Sequence, residues 1–80
     1  MSTSAVRIEP RAVEVTCTRD ALHVRLADGR EVTVPLEWFP RLRKASPEQL
    51  KRYRLIGDGI GIHWEDLDED ISVEGLLATR

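Results

Sequence analysis

Apolar and polar side chains alternate along residues 12–36, and this two-residue period is the strongest constraint on the fold. Successive side chains of a β-strand point to opposite faces, so such alternation predicts half-buried strands. Asp28-Gly29, between the second and third alternating runs, is typical of a tight hairpin turn. We therefore expect three antiparallel strands, and their inward side chains are Val13, Val15, Cys17, Leu22, Val24, Leu26, Val32, Val34 and Leu36.

Two prolines interrupt this pattern after the third strand. Pro35 and Pro40 bracket residues 36–39, and a residue that precedes proline is disfavoured in the α-helical region, which predicts a short turn. The segment Ser46-Pro47-Glu48-Gln49 then has the residues of a helix start: a serine N-cap, a proline at the first helical position and the glutamine of a capping box. We expect a short helix that presents Leu50 and Tyr53 to the core.

The second half of the chain predicts further strands and a last helix. Residues 53–56 have an extended pattern, Gly57-Asp58-Gly59 predicts a turn, and Ile60, Ile62 and Trp64 alternate as in a strand. Residues 66–70 are interpreted as an acidic loop. Asp70 or Ser72 can cap the last helix, whose inward side chains are predicted to be Val73, Leu76 and Leu77.

These elements predict an α+β domain with a small antiparallel sheet in the order β-β-β-α-β-β-α, the helices packing on one side of it. Residues 1–11 lack periodicity and are interpreted as a flexible tail, which leaves residues 12–80 as a single domain.

The length of 80 residues favours a binding module over an enzyme. A chain of this size needs its apolar side chains for its own core, and a deep substrate cavity would be costly to keep open. The single cysteine allows no intramolecular disulfide, and no apolar run is long enough for a signal peptide or a membrane span. We therefore expect a cytoplasmic protein without a membrane partner.

Several patterns that suggest chemistry fail at their discriminating positions. Asp66, Asp68 and Asp70 resemble the start of a calcium loop, but Ile71 stands where that loop needs glycine and Leu77 where it needs glutamate. The glycines of residues 57–61 lead into a strand and lack the lysine of a phosphate-binding loop. Cys17 lies on an apolar face and is interpreted as core. We predict no catalytic, cofactor or metal residues.

Charge is segregated along the sequence, although the net charge is only -2. Residues 41–54 contain six basic side chains and one acidic one, whereas residues 58–74 contain seven acidic side chains and no Lys or Arg. The two stretches can lie side by side and neutralise each other. Alternatively, the basic stretch can dock an acidic partner or a nucleic-acid backbone.

Two of the four aromatic side chains, Trp38 and Phe39, are adjacent in the proline-bracketed turn. Adjacent side chains in a turn can hardly both point into one core. One of them can therefore be partly exposed and anchor a protein interface, where tryptophan is over-represented. In the alternative interpretation both side chains cover the edge of the core.

The chain carries a specific combination of motifs, namely Asp28-Gly29-Arg30, Val34-Pro35-Leu36-x-Trp38-Phe39-Pro40-Arg41-Leu42-x-x-Ala45, and Gly59-x-Gly61-Ile62-His63-Trp64-x-x-Leu67-Asp68-Glu69-Asp70-Ile71-Ser72-Val73-x-Gly75-Leu76-Leu77. Over residues 12–78 the combination resembles the bacterial and phage family of domain of unknown function 2442. The resemblance implies a small α+β fold and no established enzymatic activity or catalytic residues. It also implies, by analogy, a toxin–antitoxin-like pair with the product of a neighbouring gene.

We therefore expect a protein-interaction module, an antitoxin-like member of a two-gene pair, whose partner is the neighbouring gene product or a second copy of the chain. A homodimer could form through an open sheet edge. The alternative is a nucleic-acid-binding regulator that uses residues 41–54. The side chains predicted to contact a partner are Trp38, Phe39, Arg41, Arg43, His63, Asp68 and Glu69.

Overall fold

The computed structural model describes residues 8–78, and within them the chain forms six strands, three short helices and three single 3-10 turns. The strands are β1 (Ala12–Cys17), β2 (Ala21–Leu26), β3 (Glu31–Pro35), β4 (Tyr53–Ile56), β5 (Gly61–Trp64) and β6 (Glu69–Ser72). The helices are α1 (Pro40–Arg43), α2 (Pro47–Lys51) and α3 (Val73–Ala78). The 3-10 turns are Leu36–Trp38, Gly57–Gly59 and Glu65–Leu67.

The predicted α+β class is confirmed, but the strands form two sheets where one was expected. Each sheet has three antiparallel strands in chain order, β1-β2-β3 and β4-β5-β6. The sixth strand, β6, lies partly within the predicted acidic loop. There Ile71 points into the core while the acidic side chain of Asp70 stays in solvent, so a strand with one exposed face accommodates the charge.

The first strand contains a β-bulge, and the prediction that Val13 points inward is therefore wrong. The pairing of β1 with β2 shifts register between Ala12 and Glu14, which inserts one extra residue at Val13. As a result Ala12 is buried, whereas Val13, predicted to point inward, is 46% exposed. Beyond the bulge the predicted alternation holds, and Val15 is buried.

The two sheets and the helices share one core, centred on Trp64, Ile62, Leu22 and Val24. The capping box of α2 is confirmed: Ser46 N–H donates to Gln49 Oε1 over 3.0 Å and Gln49 N–H to Ser46 Oγ over 3.2 Å. In the last helix Ser72 is the cap, since its Oγ accepts from Gly75 N–H over 2.8 Å.

Helix α3 buries a narrower face than its sequence predicts. Val73 and Leu76 are buried as expected, but Leu77 is 36% exposed. Leu77 lies about 100° around the helix axis from Leu76, at the edge of the face that Val73 and Leu76 bury. Within residues 8–78 no helix is both long and apolar enough to cross a membrane.

The described part of the predicted tail, residues 8–11, contacts the β2–β3 hairpin. Glu9 N–H donates to Asp28 Oδ2 over 2.9 Å, and Ala27 N–H donates to the Arg11 carbonyl oxygen over 2.8 Å. Residues 1–7 of that tail lie outside the described residues.

Asp28 holds this hairpin together through its carboxylate. It accepts from the backbone N–H groups of Glu9 and Arg30, and Arg30 Nη2 lies 2.9 Å from Asp28 Oδ2. The hydrogen bond from the Arg30 side chain, followed by that from Glu9 N–H, lowers the pKa of Asp28 from 3.8 to about 2.

We expect Asp28 to make folding stability depend on pH below about 4. A lowered pKa in the folded state means that its contribution is complete above pH 3.8 and is lost as the pH falls towards 2. Asp28→Asn should therefore be less stable than wild type at pH 7, and the difference should shrink between pH 4 and pH 2. Urea unfolding at each pH measures this. Asp20→Asn is the control, because among the described residues the Asp20 side chain accepts no hydrogen bond.

Gly59 is needed where the turn before β5 touches β1. Its φ is +100°, and a Cβ there would overlap the backbone oxygen of Ala12. Gly29 has a similar φ of +96°, but a Cβ there would meet open space.

We therefore expect Gly29→Ala to cost about 1–2 kcal/mol of unfolding free energy, from backbone strain alone. Gly59→Ala should cost at least about 2 kcal/mol more, since the backbone of β1 must move. Chemical denaturation of both variants measures the difference. Equal losses would show that the contact between Gly59 and Ala12 is unimportant.

Candidate functional site

The proline-bracketed turn of residues 36–39, here called the aromatic turn, exposes one of its two rings. One of the two interpretations of the sequence predicts this. Trp38 is 42% exposed, whereas Phe39 is half-buried and packs against the core. Phe39 has φ -128° and ψ 87°, outside the helical region, and its N–H closes the 3-10 turn by donating to the Leu36 oxygen over 2.9 Å. Buried Leu36 thus holds the turn against the domain with the indole of Trp38 in solvent.

A groove of about 520 Å³, here called the Trp38 groove, runs between this turn and the β6–α3 segment. Most of its side chains are apolar, and Asp70 and Ser72 supply its polar groups. Its lining residues are Trp38, Phe39, Asp70, Ile71, Ser72, Gly75 and Leu76.

Arg41 brings three of the predicted contact residues together. From α1 its Nη1 donates to the carbonyl oxygen of Asp68 over 2.6 Å and lies 3.9 Å from Glu69 Oε1. Asp68 has a left-handed backbone, with φ 53°, at the turn between β5 and β6. Arg41 therefore fastens the segment after the aromatic turn to the turn that precedes β6, and so links the two walls of the Trp38 groove.

His63 approaches the Trp38 groove only through Asp70. The two residues are directly opposite each other on β5 and β6, and His63 Nδ1 lies 2.5 Å from Asp70 Oδ1. His63 itself is half-buried and lines a separate hollow with Arg52, Arg54 and neighbouring acidic side chains.

Arg43 lies apart from the other six predicted contact residues. Its Nη1 is 3.5 Å from Glu37 Oε1, and its side chain lines grooves that Trp38 does not border. Arg41 and Arg43 are two positions apart in one short helix and so point in different directions. The structure thus divides the predicted surface into Arg43 on one side and a cluster around Arg41 and the aromatic turn on the other.

Most of the basic stretch is paired with carboxylates. Arg52 lies 2.8 Å from Asp66 and Arg54 3.8 Å from Glu65, in addition to the pairs that Arg41 and Arg43 form. Three of these four carboxylates belong to the acidic stretch. The arrangement favours mutual neutralisation, and each exposed pair adds only about 0–1 kcal/mol to stability.

Sequence reasoning missed the wall of the Trp38 groove formed by Ile71, Ser72, Gly75 and Leu76. The signal was present, because Ile71 and Val73 are apolar and two residues apart next to the acidic run. It was obscured by the charge of that run, which suggested a loop.

Two observations concern the chemistry of the His, Cys, Asp and Glu side chains in the described residues. No group of three or more His, Cys, Asp or Glu side chains within residues 8–78 is arranged to hold a metal ion. Burial raises the pKa of the Cys17 thiol to about 11, so at neutral pH it is protonated and a poor nucleophile.

Comparison with known proteins gives a family and two similar folds. The family model described as "Protein of unknown function (DUF2442)" matches residues 12–80. The crystal structure of a protein of unknown function from Rhodospirillum rubrum is similar, with 36% identity, a TM-score of 0.72, and coverage of 85% of this chain and 84% of that chain. No curated protein matches.

A solution NMR structure of an uncharacterised protein from Chromobacterium violaceum is also similar, with 29% identity and a TM-score of 0.70. The match covers 84% of this chain but only 63% of that one. Neither structure carries a stated activity, so both inform the fold and not the use of the groove.

We expect Arg41→Ala to lower the unfolding free energy by about 1 kcal/mol, because the charged hydrogen bond to the Asp68 oxygen is lost at an exposed site. Lys44→Ala is the matched control: it lies in the same segment, and within residues 8–78 Lys44 forms no ion pair. It should change stability by less than about 0.5 kcal/mol. Urea denaturation distinguishes the two, and equal effects would contradict a linking role for Arg41.

Proposed function

The chain belongs to the DUF2442 family, whose function is unknown. From the geometry of its surface we propose that it is a protein-interaction module that binds its partner at the Trp38 groove. The observation that carries the proposal is a 42% exposed tryptophan at the edge of a mostly apolar groove of about 520 Å³. Tryptophan is enriched among the residues that dominate binding energy at protein interfaces.

The groove is formed by parts of the chain that pack against the core. Phe39 packs against the core beneath one wall, and Ile71 is buried beneath the other. Arg41 joins the two walls through the Asp68 oxygen. A surface that is already ordered loses little conformational entropy on binding, which favours affinity.

The chemistry of the groove suggests what the partner presents. An apolar side chain would cover the indole of Trp38, while the exposed carboxylate of Asp70 at the rim would accept hydrogen bonds or a positive charge. We propose that this partner is the product of a neighbouring gene, which would make the chain the antitoxin-like member of a two-gene pair. A cytoplasmic location fits the single cysteine, which leaves a domain of this size without an internal disulfide.

The nucleic-acid alternative receives less support from the charges. Four of the six basic side chains in residues 41–54 lie within 4 Å of a carboxylate, which weakens the positive field that a phosphate backbone would need. Binding of single-stranded RNA or duplex DNA that falls with salt, and that Arg41→Ala with Arg43→Ala abolishes, would favour this alternative.

Co-expression with the neighbouring gene product, followed by a measurement of affinity, tests the proposal. We expect a stoichiometric complex, and we expect Trp38→Ala to weaken it by about 2 kcal/mol, roughly 30-fold, because a central anchor is truncated. Ile60→Ala is the matched control, since Ile60 is an apolar side chain that is 59% exposed but does not line the groove.

The control should bind like the wild type, and both variants should keep the wild-type circular dichroism spectrum. Sedimentation of the chain alone tests the other expected partner, a second copy. A chain that forms no complex with the neighbouring product and stays monomeric, or a complex that tolerates Trp38→Ala, would contradict the proposal.

A further inference from the structure

A second groove, here called the β1 groove, lies between the outer edge of β1 and helix α2. It has a volume of about 570 Å³ and shares no lining residue with the Trp38 groove. The strand side supplies residues 15–19, and the opposite wall and floor are formed mainly by Leu36, Ala45, Pro47, Leu50 and Tyr53. The proposal for the Trp38 groove makes no use of this surface.

The charge of the β1 groove is opposite to that of the whole chain. Arg19, Arg43 and Lys51 line it, and among the lining residues that the structure describes none is Asp or Glu. Arg43 has Glu37 at 3.5 Å, whereas Arg19 and Lys51 form no ion pair within residues 8–78. The groove is therefore a positive strip on a chain of net charge -2, and it favours an acidic ligand.

The backbone of β1 presents unpaired groups to this strip. Thr18 N–H donates to the Ala21 oxygen over 2.9 Å, which makes Thr18 and Ala21 a hydrogen-bonded pair. Such pairs alternate along an antiparallel ladder, so Thr16 also faces β2, and the N–H and C=O groups of Val15 and Cys17 face away from it. Among the described strands, none pairs with this outer edge.

Only part of the edge is already used. Val15 N–H donates to Tyr53 Oη over 3.2 Å, which blocks the edge at that residue. Just after the last residue of β1, Thr18 Oγ1 accepts from Ala21 N–H over 3.1 Å, and this side-chain hydrogen bond marks the end of the strand. The open stretch is therefore centred on Cys17, with Arg19 just beyond the end of the strand and Lys51 in the opposite wall.

We propose that the β1 groove binds an extended acidic peptide segment of a partner protein, which pairs its backbone with Cys17 at the outer edge of β1. In a paired strand alternate side chains lie on one face, so acidic side chains two positions apart would face Arg19, Arg43 and Lys51. The intervening apolar side chains would cover Leu50 and the floor of the groove. The open edge is short, so the paired segment has two or three residues.

The test uses the full chain, labelled with ¹⁵N, and a capped octapeptide of alternating valine and glutamate. We expect the amide signals of Cys17, Thr18 and Lys51 to shift, with an affinity that falls as salt screens the charges. The same peptide with glutamine in place of glutamate should bind about tenfold more weakly. A version N-methylated at alternate amides, which cannot pair as a strand, should lose the shift at Cys17.

Charge-changing variants locate the site. Lys51→Glu, and the milder Lys51→Gln, should each weaken binding of the glutamate peptide, by about tenfold for the charge reversal. Lys44→Glu makes the same charge change outside the lining residues and should bind like the wild type. If Lys44→Glu weakens binding equally, only the overall charge matters and the proposal is wrong.

Three further results would also overturn the proposal. One is the absence of shifts at Cys17 with millimolar peptide. Another is equal binding of free glutarate, which would indicate a simple anion site. The last is a shift of the same amides with protein concentration alone, which would show that a second copy of the chain occupies the groove. Unchanged binding of Trp38→Ala to the peptide separates this site from the Trp38 groove.

Discussion

The indole of Trp64 anchors the second half of this domain, and its neighbour Tyr53 links that half to the first. The indole is fully buried, and its Nε1–H donates to the Leu50 oxygen over 3.1 Å, which fixes the end of α2 against β5. Its ring lies 6.3 Å from that of Tyr53, whose hydroxyl accepts from Val15 N–H. Each three-stranded sheet needs a partner against which its apolar face can pack, and in this domain the partner is the other sheet. The fold therefore depends on the packing of the two sheets around Trp64 and Tyr53.

The two grooves follow from the same arrangement. Short helices and 3-10 turns connect the sheets, and they are too small to cover all the surface that the strands leave open. One uncovered region lies between the aromatic turn and α3, and the other between β1 and α2. The first is mostly apolar around Trp38, and the second is cationic around Lys51. A domain of this size can thus present two chemically different surfaces without giving up its core.

In the folded chain, ion pairs neutralise much of the charge that is segregated along the sequence. In the sequence, the basic and acidic stretches look like a surface for an oppositely charged partner. In the fold, Arg52 forms an ion pair with Asp66 and Arg54 forms one with Glu65. Arg41 donates a hydrogen bond to the turn before β6. Within residues 8–78 the basic side chains that form no ion pair are Arg19, Lys44 and Lys51, and two of them, Arg19 and Lys51, line the β1 groove. Exposed pairs contribute little stability each, so their main consequence is that the β1 groove keeps a net positive charge.

By itself the sequence determined the local structure: the alternation along β2 and β3, the hairpin at Asp28, the capping box at Ser46 and the proline-bracketed turn of residues 36–39. These features depend on residues a few positions apart, and the conformational preferences of those residues follow from their types. Tertiary structure decided the bulge that exposes Val13, the strand β6 within the acidic run, and the separation of Arg43 from Arg41. Each depends on which distant segment pairs or packs alongside, and no local pattern encodes that choice.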